Sequence, residues 1–162
     1  MSLEVIQIPF TAFDQITDLD PDDATLVKDA RDICKSAYAP YSKFRVGAMA
    51  LMEDGSRIHG TNQENASYPI GLCAERVLLA AVSSIAPGKA IKSMAISYES
   101  DEVDANAPVA PCGICRQSLV EFESRFKNPM RLLLSGQSGK IILVNSASDL
   151  LPFAFKHYHL GK

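Results

Sequence analysis

The 162-residue chain is long enough for one domain with a sizeable core. Hydrophobic residues make up 47% and charged residues 22%, an ordinary globular composition. A net charge of −3 argues against polynucleotide binding, which draws on a basic face. Apolar runs such as "VLLAAV" are far too short to span a bilayer.

Residues 1–21 read as an N-terminal extension with no assigned role, ahead of a single domain over 22–162. No basic start followed by an apolar stretch marks a secretory signal, so the expected location is cytoplasmic. "DDATLVKDARDICKSAYAP" predicts a first helix, capped by Asp22 or Asp23 and stopped by Pro40. Leu26, Val27, Ala30, Ile33, Cys34 and Ala37 form its apolar stripe, which places Cys34 in the core. "FRVGAMALMEDGSRIHGTN" predicts a hairpin turning at Asp54-Gly55. A second helix is expected over Gly71–Ser84, then a strand at "AIKSMAISYE" and a polar loop from Ser100 to Ala107. Pro111 to Lys127 predicts a third helix, with Pro111 at its start and Ile114, Leu119, Val120 and Phe122 as apolar contacts. "MRLLLSG" and "KIILVNS" add two strands, and "SASDLLP" a short capped turn before an aromatic tail. Strands alternating with helices imply an α/β fold: three α/β/α layers around a mixed five-stranded sheet.

Four cysteines stand at 34, 73, 112 and 115. A cytosolic chain of this length does not need disulfides. Cys112 and Cys115 form a C-x-x-C spacing, which suits a metal or a redox dithiol. Cys73 and Cys112 each open a predicted helix, where the dipole favours anions and lowers thiol pKa values. If the two helix starts face each other, three thiolates converge. Three ligands leave a tetrahedral zinc one open position for water, the arrangement of a catalytic site. Glu75 lies two residues after Cys73 and is better suited to proton transfer than to zinc ligation, because thiolates are the softer ligands. Zn²⁺ with three thiolates is net −1, and the adjacent Arg76 can temper that charge. A structural zinc site needs a fourth ligand from Cys34, His59, His157 or His159, none of which has a recognised spacing to the other cysteines. Three cysteine ligands, a non-ligand Glu and P-C-x-x-C resemble the site pattern of zinc deaminases.

The chain closely resembles the cytidine deaminases that act on free nucleosides. The resemblance is carried by "YAPYSKFRVGA" (38–48), "GTNQENASYPIGLCAER" (60–76), "PCGICRQSLVEF" (111–122) and "LLPFAF" (150–155). It implies one zinc per subunit on Cys73, Cys112 and Cys115. Zinc-bound hydroxide would attack C4 of cytidine or 2′-deoxycytidine, with Glu75 shuttling protons to N3 and to the departing ammonia. It further implies that Asn62 and Glu64 hold the ribose hydroxyls, that the Ala74 backbone holds the pyrimidine edge, and that Phe44 packs on the nucleoside. Arg76 matches the family arginine that supports the thiolates. The family forms homotetramers with shared sites, and Tyr68 and Phe155 match positions that reach a neighbour, with Phe153 as the alternative to Phe155. Ala110, Gln63 and the "FKHYH" tail depart from the usual pattern. Competing expectations are a deaminase of another aminopyrimidine, in an antibiotic or a polynucleotide, and a non-enzymatic zinc-stabilised module.

Overall fold

Alternation along the strands sends apolar side chains to both faces of one sheet, and helices cover both. The computed structural model describes residues 1–161. Six strands, β1 (Phe10–Phe13), β2 (Phe44–Met52), β3 (Arg57–Thr61), β4 (Ile91–Ser100), β5 (Arg131–Leu134) and β6 (Ile141–Val144), lie in the order β1-β6-β5-β4-β2-β3. The β4–β5 pair is parallel and the other pairs are antiparallel. The helices are α1 (Pro21–Ile33), α2 (Ala74–Ile85) and α3 (Gly113–Phe126).

On one face, Ala48, Ala50, Met94, Ile96, Leu132 and Leu134 pack with Leu78 of α2 and Leu119 of α3. The residues between them, Met49, Ala95 and Leu133, face Leu26, Val27 and Ala30 of α1. This gives the expected three layers with a mixed sheet, but six strands where the sequence predicted five. The extra strand is β1, inside the segment read as an extension, with Phe10 opposite Val144 and Phe13 opposite Ile141. It is an edge strand whose first three residues are exposed, so it carries no burial pattern to betray it.

The helix starts also differ from expectation. Asp20, not Asp22 or Asp23, caps α1: its Oδ1 accepts from Asp23 N at 3.0 Å. Pro21 takes the first helical position, where no N–H is needed. The helix proper ends at Ile33, and a 3-10 turn over Cys34–Ser36 precedes the extended Ala37. Cys34 is buried as expected, with Sγ donating to Ala30 O at 3.3 Å. The α2 helix begins at Ala74 rather than Gly71, because Gln63 and Leu72 exchange two backbone hydrogen bonds (2.8 and 2.9 Å) that hold Leu72 extended. Pro111 precedes the N-cap of α3 instead of standing in its first turn. Ile114 is exposed, whereas Leu119, Val120 and Phe122 are buried as predicted.

One close approach fixes α2 against the sheet. A Cβ on Gly60 would stand 2.4 Å from Leu78 N, so only glycine lets β3 run this near the helix. No helix among the described residues is long and apolar enough to cross a membrane.

Candidate active site

Two helix starts meet at the edge of the cavity. Cys73 is the N-cap of α2, Cys112 is the N-cap of α3, and Cys115 lies in the first turn of α3. Cys73 Sγ is 3.8 Å from Cys112 Sγ, and Cys112 Sγ is 3.5 Å from Cys115 Sγ. The three sulfurs all lie within 4.8 Å of one another. A tetrahedral zinc with bonds of about 2.3 Å holds its sulfur ligands about 3.8 Å apart, so the donor set fits zinc in both chemistry and spacing. Both helix N-termini direct their dipoles at this point. A hydrogen bond from the facing Cys115 thiol holds Cys73 down to about 6, Cys112 and the Arg76 charge acting in the same direction against burial. The shared proton correspondingly raises Cys115.

Glu75, in the first turn of α2, is 4% exposed yet lines the cavity. Burial raises its carboxyl above the usual carboxylate range, which favours holding a proton. Arg76 is half-buried beside it. Among the described residues its link to Cys73 is electrostatic, and its guanidinium makes no hydrogen bond to a thiol.

The cavity occupies about 620 Å³, and Phe44, Asn62, Glu64, Tyr68, Cys73 and Glu75 all contribute to its walls. Its size is that of a small-molecule site. Glu64 accepts from the backbone N–H groups of Tyr41 (2.8 Å) and Ser42 (3.2 Å). The Ser42 side chain, then these N–H groups and the Lys43 charge, hold its carboxyl below the ordinary range against burial. Asn62 is anchored on β2: Oδ1 accepts from Val46 N at 2.7 Å and Nδ2 donates to Phe44 O at 2.9 Å. Each end of the amide keeps further capacity for a ligand. Ala74 is fully buried behind the wall, at the first position of α2. Tyr68 is 74% exposed at the rim, its ring 5.9 Å from that of Tyr41. Phe155 is 58% exposed and stacks on His159, away from the cavity of its own chain.

Several supporting residues escape sequence reading. Tyr98 stacks on Phe44, and its only sequence signal is its strand position. Arg116 ties the start of α3 to the tail, Nε donating to Pro111 O (2.9 Å) and Nη1 to Leu150 O (3.1 Å). The buried Glu123 accepts from Met130 N, Ala147 N and the Ser146 hydroxyl (2.9, 2.8 and 2.8 Å). The bonds to Leu150, Ser146 and Ala147 join segments 23 to 34 residues apart, and local pattern cannot reveal them.

The family model for the cytidine and deoxycytidylate deaminase zinc-binding region matches residues 20–127. A cytidine deaminase of Halalkalibacterium halodurans is 38% identical over 130 residues, covering 80% of this chain and 91% of that protein. A cytidine deaminase of Sporosarcina psychrophila is 38% identical over 137 residues, covering 84% and 93%. The crystal structure of cytidine deaminase from Burkholderia pseudomallei superposes with a TM-score of 0.69 at 38% identity, covering 81% of this chain and 97% of that one. The match includes all three clustered cysteines, Glu75 and the strands that wall the cavity, and the chain belongs to the cytidine and deoxycytidylate deaminase family.

Proposed function

We propose that the chain hydrolyses cytidine and 2′-deoxycytidine to uridine and 2′-deoxyuridine, releasing ammonia. The observation that carries this reading is a buried, protonatable Glu75 in the wall of a nucleoside-sized cavity, two residues from a three-thiol metal cluster. Zinc held by Cys73, Cys112 and Cys115 supplies Lewis-acid activation of water. Glu75 would take one proton from the water and pass it to pyrimidine N3, then take the proton of the new C4 hydroxyl and pass it to the amino group that leaves as ammonia. Its buried setting keeps the proton from exchanging freely with solvent. The Phe44 ring lies against the nucleoside. Asn62 and Glu64, already oriented by backbone hydrogen bonds, offer a donor and an acceptor to the ribose hydroxyls. Ala74 presents its backbone to the pyrimidine edge, and Arg76 tempers thiolate charge.

The catalytic unit spans 22–162, and the preceding segment adds β1 to its sheet. The active form is a homotetramer with shared sites, in which Tyr68 and Phe155 reach a neighbouring cavity. The support is their exposure, together with exposed Ile70, Ile114 and Phe153. Reduced thiols suit a cytoplasmic location.

The test is a cytidine assay with metal analysis on the same sample. Loss of cytidine absorbance with stoichiometric ammonia and one zinc per chain is expected. Turnover of RNA or of an aminopyrimidine antibiotic, with none of cytidine, would reverse the assignment. Light scattering after gel filtration reads the tetramer.

A further inference from the structure

Phe44 and Tyr98 stand diagonally across the β2–β4 ladder. Val46 is paired with Tyr98 and Phe44 with Ser100, so both rings rise from the same face of the sheet. Their centroids are 4.8 Å apart and their planes 15° from parallel. Phe44 forms part of the cavity wall, and Tyr98, 8% exposed, stands behind it. Tyr98 is itself held from two sides. Its carbonyl accepts from Gln137 Nε2 at 3.2 Å, and its hydroxyl donates to Asp104 O at 3.4 Å. The first of these anchors comes from the segment after β5, the second from the loop that leads to Val109 and Ala110 in the same cavity.

We infer that Tyr98 is a positioning residue that sets how far the Phe44 ring projects into the cavity, and thereby sets nucleoside affinity without touching the nucleoside. The inference rests on the deaminase reading above. A ring backed by a fixed parallel ring cannot retreat. Without the backing, Phe44 rotates into the vacated volume and its face leaves the substrate. The thiols and Glu75 sit on α2 and α3, not on this pair of strands, so the chemical step keeps its geometry. The effect therefore falls on KM rather than on kcat.

The experiment uses the zinc-loaded full chain with Tyr98→Ala, Tyr98→Leu and Tyr98→Phe. An aromatic pair of this kind corresponds to about a 5- to 10-fold rise in KM for Tyr98→Ala, with kcat within about 2-fold. Tyr98→Phe keeps the stack and is expected to recover KM to within about 2-fold. Tyr98→Leu fills the volume without a ring and carries the test if the alanine variant does not fold; its KM is expected to rise as well. Zinc content stays at one per chain throughout. An unchanged KM in a folded Tyr98→Ala or Tyr98→Leu overturns the inference. Equal impairment in Tyr98→Phe moves the role to the hydroxyl and overturns it too, as does loss of kcat together with zinc. If the unmodified chain does not turn over cytidine, the deaminase reading fails by itself. The stack is then read from the ¹³C-phenylalanine resonance of Phe44. A shift in Tyr98→Leu but not in Tyr98→Phe supports the buttress, and no shift in either overturns it.

Discussion

Asn62 Nδ2 donates to the carbonyl oxygen of Phe44 at 2.9 Å, fastening the end of β3 to the start of the neighbouring β2 in the cavity wall. The same amide accepts from Val46 N, so its orientation is fixed from both ends. Asn62→Asp keeps an acceptor for Val46 but sets a carboxylate oxygen against the Phe44 carbonyl. The expected cost is about 1–3 kcal/mol in urea denaturation, with a raised KM for cytidine. Lowered stability with an unchanged KM would remove Asn62 from the nucleoside site.

Glu75→Gln separates the proton carrier from the fold. The side chain is buried and burial works against its charge, so a neutral isostere is expected to leave the unfolding temperature equal or higher. Zinc content should stay at one per chain while kcat falls by about 10²–10⁴-fold. A variant that retains metal and near-normal turnover sinks the mechanism.

The thiol cluster joins the starts of α2 and α3, so metal removal acts on stability as well as activity. Chelation is expected to abolish turnover and lower the unfolding temperature, and added zinc to restore both. Cys115→Ser should bind zinc more weakly, read by metal analysis after dialysis, because a hydroxyl is a poor substitute for a thiolate.

Cys34 gives a stability signature at alkaline pH. Burial pushes its thiol up to about 11. Its folded pKa lies above the unfolded value, so its contribution is fully present below about pH 8.5 and is lost as pH rises through 11. The native chain should lose about 1.4 kcal/mol per pH unit between 9 and 11 relative to Cys34→Ser, measured by denaturant titration at each pH. Prompt alkylation of Cys34 in the native protein at pH 8 would contradict its burial.

Deleting residues 1–13 removes β1 and bares the outer edge of β6. Four cross-strand pairs are lost, an expected cost of about 1–3 kcal/mol, with more aggregation from the exposed edge. Turnover per folded chain should persist, because β1 lies at the opposite edge of the sheet from β3.

The chemistry was more legible in the sequence than the architecture that supports it. Cys73, Glu75, Cys112 and Cys115 announce themselves because ligand spacing is local and their residue types are few. Leu26, Val27 and Ala30, like Leu119 and Phe122, follow from helical periodicity. The strand β1 stayed hidden because its first three residues are exposed. The cap of α1 shifted to Asp20 because several aspartates compete in sequence and only geometry chooses among them. Leu72 gives no local sign that backbone pairing with Gln63 delays the helix. The Tyr98–Phe44 stack and the bonds to Arg116 and Glu123 depend on tertiary proximity, which no window of sequence contains.

The contact between Gly60 and Leu78 makes the metal site vulnerable from behind. One added methyl group at Gly60 forces α2 outward, and the helix carries Cys73 and Glu75 with it. A saturation-mutagenesis map scored on activity would show Gly60 nearly as intolerant as the cysteines, even though it meets neither metal nor nucleoside. Inactivating replacements there would register as loss of zinc, a lesion transmitted through the helix backbone.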